Sequence, residues 1–467
     1  MFASRVYTHS MDTAIWWIRR DLRLQDNQAL YAALRHERVI PVFVLEPALL
    51  AREAPNRQSF LFAGLQALDA ELRALGSRLI IRQGPAEEAL PALGQETDAS
   101  VVYAEGDVSP FSLARDSRVA ERVNLVLTEG VTIHPVTAVR KGNGEPYTVF
   151  TPYSRAWRAL PLPNAALPAP QAMPPVADIF SLPVPDHSEL SDFPAGAAEA
   201  ARRLHGFLDG IVDAYAIGRN RMDWDGTSQL SPYLRFGMLS ARTAALEVRR
   251  VINNLRTATE GGEAWLNELI WRDFYASILH HFPYVLKDAF QLRYRSMRWR
   301  TAPDDLERWQ LGQTGYPVVD ACMRQLLATG WMHNRGRMIA ASFLVKDLLI
   351  DWREGEAWFM RHLVDGDPAA NNGGWQWTAG VGTDAAPYFR IFNPVSQGQR
   401  HDPQGSFVRR WVHELAAVSD AYIHQPWTMQ LDEQARVGCR LGKDYPLPMV
   451  DHAVARERAL LAYKSAS

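Results

Sequence analysis

The sequence predicts a chain in two parts: an α/β domain built on a parallel sheet, then a larger all-α domain. Three observations carry this. Short apolar runs alternate with helical periodicity in the first part, prolines crowd the stretch from Leu160 to Pro194, and from Ala197 helix follows helix with few strand-like runs. At 467 residues the chain exceeds one ordinary core. Its 47% apolar and 22% charged residues describe a globular protein, not a disordered one. A formal charge of −2 excludes no partner, because a local basic face can hide in a neutral total. The expected boundaries are 12–140 for the α/β domain, 141–196 for the linker and 197–467 for the helical domain.

Taken in order, Ala14 to Ile18, Val39 to Leu45, Leu79 to Ile81 and Ser100 to Tyr103 are apolar runs of strand length. Between them, Leu61, Leu65, Leu68, Leu72 and Leu75 recur at helical spacing, with Gly76 as a stop. Such sheets bind ligands beyond the carboxyl ends of their strands. No Gly-x-Gly-x-x-Gly follows the first strand and no phosphate-loop lysine motif occurs, which disfavours a standard dinucleotide site. The prolines from Pro161 to Pro194 describe an extended linker over the surface. Cys322 and Cys439 are too few for a disulfide framework or a cysteine-based zinc site, so a reducing cytoplasm is expected. Met1 to Thr13 holds no signal-peptide core, and no apolar run reaches membrane-spanning length.

Several constellations carry chemistry. Thr227, Ser228, Gln229, Leu230 and Ser231 precede Pro232 and a helical stretch; helix capping is the default for such hydroxyls, and a phosphate cradle the alternative. Glu268, Trp271, Arg272 and Tyr275 share one helix face. They fit an amphipathic helix with a Glu–Arg pair, or equally a wall for an aromatic, polar ligand. Asn334 and Met338 lie one turn apart, with Arg335 and Arg337 around them. Asp365 and Asp367 do not begin a metal loop, because Pro368-Ala-Ala offers no further oxygen ligands; no metal is expected. An acid paired with Arg337 and facing a ligand fits better. Of 15 tryptophans, 11 lie between Trp265 and Trp427, where packing is their default role. Arginines and aromatics recur through the same half (Arg219, Arg335, Tyr388, Arg390, Trp411), as nucleic-acid binding needs and as many surfaces show.

The chain strongly resembles the photolyase/cryptochrome family, closest to class I cyclobutane pyrimidine dimer photolyases. The resemblance is carried by Trp17-Ile-Arg-Arg-Asp-Leu-Arg-Leu-Gln-Asp-Asn27, Trp265 to Tyr275, Gly312 to Asp320, Trp331-Met-His-Asn-Arg335 and Asn371-Asn-Gly-Gly-Trp-Gln-Trp377, and it covers about Thr13 to Trp427. It implies a Rossmann-like antenna domain and a helical domain holding non-covalent FAD, fully reduced and anionic when active. By motif position, Tyr215 and Thr227 to Ser231 hold the phosphates and neighbouring parts of FAD. Arg272, Asn334, Arg337, Asp365 and Asp367 line the rest of its pocket, and Asn371 faces the flavin N5.

The implied reaction is light-driven repair of UV-damaged DNA. The excited cofactor lends an electron to a flipped-out cyclobutane pyrimidine dimer and recovers it once the ring has split. Glu268 is then a partner of the dimer, Trp271 and Trp377 flank its bases, and Asn334 and Met338 complete the wall. Six-four photolyases resemble this family but place histidines where Asn334 and Met338 stand; Trp377 also departs from the DASH branch. Trp375, Trp352 and Trp299 match an electron-transfer chain to the flavin. Arg219, Arg335, Arg390 and Arg272 match positions that contact DNA. A second, antenna chromophore is expected, methenyltetrahydrofolate or a deazaflavin: Tyr103 to Phe111 resembles the deazaflavin-type segment, while Lys287 stands where folate-type members carry a lysine. A monomer without membrane contact is expected. The competing reading is a cryptochrome, a blue-light receptor of the same fold without repair, although no long tail follows Trp427.

Overall fold

The computed structural model describes residues 12–176, 178–254 and 259–466. Five parallel strands form one sheet in the order β3-β2-β1-β4-β5: β1 is Thr13–Ile18, β2 Arg38–Leu45, β3 Ile80–Gln83, β4 Ala99–Glu105 and β5 Leu125–Thr128. Every residue of β1 is buried, as a central strand covered on both faces requires. Its two tryptophans point to opposite faces: Trp16 enters the core shared with the helical part, and Trp17 the core on the outer face. Pro41 of β2 lies opposite Trp16, one residue before pairing with β3 begins at Val42, so its missing N–H costs no bond on that side. The strand order turns back at β1, which opens a crevice beyond the carboxyl ends of β1 and β4.

The helix expected around Leu61 to Leu75 runs Pro55–Ala74; Pro55 stands in its first turn, and Gly76, at φ 88°, takes the chain away. Beyond β5 a ten-residue helix, Phe150–Ala159, lies inside the stretch expected to be linker. Pro152 does not prevent it, because a proline in the first turn removes no helical hydrogen bond. Its buried residues Phe150, Tyr153 and Trp157 face the long helix Thr259–His281. Phe150 lies 3.6 Å from Trp271 and parallel to it, and the Trp157 indole donates to Asp273.

The helical part encloses its own core around Trp309, Phe343, Trp352, Phe359 and Trp375. Here the helix Asn334–Ser342 runs directly into a π-helical turn, Phe343–Asp347, which buries Lys346 and Asp347. No helix among the described residues is long and apolar enough to cross a membrane.

Candidate functional site

Four helices place the predicted lesion-facing residues together. Glu268 and Trp271 belong to Thr259–His281, Asn334 and Met338 to Asn334–Ser342, and Trp377 to Pro368–Ala379, which packs on both of the others. At Gly373 two of them approach closely, since a Cβ there would lie 2.2 Å from the Tyr275 ring. The fourth helix, Val212–Gly218, ends at Arg219.

Glu268 does not pair with Arg272 along its own helix. Its Oε1 meets Arg219 Nη1 at 2.7 Å. Burial pushes the Glu268 carboxyl up, and Arg219 and Arg335 oppose that. The Arg335 guanidinium donates to the Asn220 side chain and reaches Met338 Sδ at 3.6 Å; Asn334 Nδ2 lies 3.8 Å from the same sulfur. Asn334 is exposed and does not cap its helix. That position belongs to His333, whose Nδ1 accepts from the Arg335 N–H at 3.1 Å. Trp377 is half-buried, while Trp375, two residues earlier, is fully buried. One face of Trp271 is covered by Phe150, and Phe274 and Tyr275 stand against the same ring, with centroids 5.6 and 5.4 Å away.

The hydroxyls of Thr227 to Ser231 do not cap the helix Ser231–Phe236, whose first turn has no side-chain cap. Ser228 and Ser231 instead accept from the indoles of Trp265 and Trp331, at 3.2 and 3.4 Å, and Gln229 sits at φ 50°. Thr227, Ser228 and Gln229 are half-buried and Leu230 buried; Tyr215 is buried beneath Arg219, with its ring against Phe207.

Arg337 pairs with Asp365 at 2.8 Å, one of the two acids, Asp365 and Asp367, that the sequence offers it. The second oxygen of Asp365 is buried with no hydrogen-bond partner among the described residues, and so is the Trp375 indole N–H. Asn371 donates to the Glu356 carbonyl at 3.0 Å and to its carboxylate at 3.2 Å, leaving its own amide oxygen as an acceptor. An unfilled acceptor, an unfilled donor and a fixed amide oxygen fit the polar edge of a flavin and its ribityl chain.

Asp367 serves another role as well. It caps its helix by accepting from Ala369 and Ala370, and pairs with Arg20 of the first domain at 2.6 Å. Burial would raise its carboxyl, but Arg20, Arg235 and Arg272 hold it down at about 2. Arg20 also reaches Asp107 at 3.3 Å, and burial lowers Arg235 to about 9. Arg272 donates to the carbonyls of Val131 and Leu234. A small cavity lined by Arg20, Asp107, Ser109, Arg272 and Asp367 lies between the two parts. Sequence reasoning missed Arg20 and Arg235 here, because their partners lie hundreds of residues away. Asp107 stood in a segment assigned to the antenna, and its pairing had no local signal.

The predicted tryptophan line lies in one core. Trp375 meets Phe359 and Trp309 edge-on, and its ring is 2.1 Å from where a Cβ on Gly355 would stand; Gly355 shares the helix Trp352–His362 with Trp352. Trp299 packs against this core and meets Tyr463 edge-on at 6.2 Å. Arg390 is exposed, as is Lys287. At the carboxyl ends of β1 and β4, Arg19 pairs with Asp116 and Arg23 with Glu105, and Arg19 and Arg115 lie over the Trp17 ring.

Residues 14–173 match the family model described as DNA photolyase, and residues 265–465 the one described as the FAD binding domain of DNA photolyase. The chain is 41% identical to the deoxyribodipyrimidine photo-lyase of Salmonella typhimurium, over 98% of this chain and 99% of that one. It superposes on a bacterial class III photolyase from Agrobacterium tumefaciens with a TM-score of 0.92 and 36% identity, covering 99% of both chains. On a cryptochrome from Synechocystis the TM-score is 0.89 at 30% identity, covering 97% of this chain and 99% of that one. Two family matches, one in each part, and near full-length identity of this order leave one conclusion: the chain belongs to the photolyase/cryptochrome family.

Proposed function

We propose that this protein is a deoxyribodipyrimidine photo-lyase, which uses light to split cyclobutane pyrimidine dimers in DNA back to two pyrimidines. The observation that carries the reading is a wall of side chains on the predicted lesion-facing helices. Glu268, Asn334 and Met338 stand together between Arg219 and Arg335. Neither an amide nor a thioether can act as the acid that a histidine supplies in six-four repair. The wall therefore suits a substrate that needs positioning and hydrogen bonds more than proton transfer.

FAD, when bound, supplies the light-driven electron and receives it back, so the reaction has no net redox change. The rest falls to the side chains. Asp365, oriented by Arg337, offers an acceptor to the cofactor's polar edge; Asn371, held by Glu356, presents an amide oxygen that cannot give up a proton. Tyr215 and Thr227 to Ser231 hold the phosphate side, and Arg272 and Asp367 close the pocket towards the first domain. Arg219, Arg335 and Arg390 take backbone phosphates around the lesion. A base extruded from the duplex enters the cleft between Trp271 and Trp377. Trp299, Trp352 and Trp375 carry an electron inward from a surface reductant.

The domains divide the work at residues 12–140, 141–196 and 197–467. An antenna pigment, methenyltetrahydrofolate or a deazaflavin, belongs to the first. The protein works as a cytoplasmic monomer. The deciding assay mixes reduced, FAD-loaded protein with thymine-dimer DNA under blue or near-UV light, with dark controls. Light-dependent loss of dimers is expected. Binding of dimer DNA with no such loss would overturn the repair reading in favour of a cryptochrome-type receptor.

A further inference from the structure

Glu268, the acid of the cleft, is held by Arg219, a residue the same cleft offers to DNA. Their contact is a single 2.7 Å ion pair, and both side chains remain partly open to the cleft, at 32% and 27% exposure. Glu268 is otherwise surrounded by groups that cannot replace Arg219. Arg335 is the other cation in range, but its guanidinium is engaged by the Asn220 side chain and Met338. Asn220 is fixed in turn by His401, whose Nδ1 lies 2.7 Å from its carbonyl. Tyr215, on the helix of Arg219, and Tyr275, on the helix of Glu268, are the remaining ionisable groups that sense Glu268. Burial keeps both phenols neutral at physiological pH, so neither adds a countercharge.

A DNA phosphate competes for the same guanidinium, and arginine takes phosphate and carboxylate oxygens with the same paired N–H geometry. A base entering the cleft displaces the water that now reaches Glu268. The carboxylate is then left buried with no cation bonded to it, a state that neutralises by taking up a proton.

We propose that Arg219 and Glu268 form a latch released by DNA: a phosphate beside the extruded lesion draws Arg219 off Glu268, which then binds one solvent proton and donates it in a hydrogen bond to a pyrimidine carbonyl of the dimer. No bond to carbon is made or broken in this exchange. One ion pair is replaced by another, and one proton moves from solvent to the carboxylate. Arg219 is a positioning residue in this scheme, because it sets the protonation state of Glu268 and leaves the dimer to that residue. The latch also ties the acid form to an occupied cleft, so that the free protein presents an ionised, paired carboxylate. The inference rests on the repair reading and deepens it.

The test is done in the dark with FAD-loaded protein and a thymine-dimer duplex, before any repair. Calorimetric titrations in buffers of different ionisation heat count the protons taken up on binding, and infrared difference spectra detect the carbonyl stretch of a neutral carboxylic acid. Uptake approaching one proton per complex is expected, with a new acid band, both lost in Glu268→Gln. In Arg219→Gln without DNA, the acid band should persist about one pH unit or more higher than in the parent protein, and dimer binding should take up correspondingly fewer protons. Dimer binding without proton uptake, by protein that still repairs in the light, would overturn the latch and leave the repair reading standing. An unshifted acid band in Arg219→Gln would overturn it too, since Arg219 would then not be what holds Glu268 ionised. Failure to bind dimer DNA at all would sink both.

Discussion

His333 and His401 illustrate how single buried residues set the behaviour of the cleft. Each is 4% exposed, and burial, helped by Arg335, lowers both rings to about 4. A ring that stays neutral in the fold but titrates near 6.5 when unfolded gives the unfolded chain the extra proton between those values. Stability should therefore fall as pH drops from about 6.5 towards 4, with a ceiling of roughly 3.5 kcal/mol per ring. Thermal unfolding followed against pH checks this; a flat profile through that window would show that the rings protonate in place. The tryptophan line gives a second prediction at this scale. Trp299→Phe should slow photoreduction of oxidised FAD by an external donor at least tenfold, while protein reduced chemically beforehand should repair at the parent rate. Unchanged photoreduction would remove Trp299 from the line. Part of this residue-level detail is legible in the sequence: one turn of helix places Asn334 beside Met338, and Arg337 is expected to pair with Asp365 or Asp367, a choice the fold makes for Asp365. The partner of Glu268 was not, because helical spacing offered Arg272 and the tertiary fold supplied Arg219.

Helices bring the line and the pocket within reach of each other, and one glycine sets how close. At Gly355 a Cβ would stand 2.1 Å from Cη2 of Trp375 and 2.6 Å from Leu344, so no larger residue fits without moving a helix or turning the indole. Gly355→Ala should destabilise the protein by about 1–3 kcal/mol, the usual cost of overpacking, and should lower the photoreduction yield by displacing Trp375. Calorimetry and light-driven bleaching of the oxidised flavin measure the two effects. Parent stability in the variant would mean the helices separate freely there. Periodicity showed that helices exist in this region and where several of them begin. It could not show Phe150–Ala159, hidden among prolines, nor the π-helical turn at Phe343–Asp347, because a one-residue widening leaves no mark on an apolar pattern.

Across the whole molecule, the two parts are joined by buried charge as much as by apolar contact. Asp26, in the loop after β1, pairs with Arg242 at 2.7 Å and accepts from Ser240, while Arg23 donates to the Gly237 carbonyl at 3.1 Å. Gly237 itself allows the approach: a Cβ there would overlap the Arg20 carbonyl. Burial works to raise the Asp26 carboxyl, but Arg242 and Ser240 bring it below its ordinary value. Its contribution is thus present at neutral pH and lost in acid, as the carboxyl protonates. Asp26→Ala should cost about 3–5 kcal/mol, since Arg242 is left buried without its partner. Amide exchange should quicken on both sides of the junction; protection unchanged there would mean that the apolar core alone holds the parts together.

The sequence by itself determined the class of the fold, the family and the strands from β1 to β4. Those follow from local apolar patterns and from motifs whose residues lie close together in the chain. Only the tertiary structure decided which charges meet. Arg20 with Asp367, Asp26 with Arg242 and Arg219 with Glu268 are pairs between distant segments, and an ion pair needs no periodicity to announce it. A charged side chain finds its partner only after the apolar faces have packed, so the pairing is a property of the packed molecule and not of either segment.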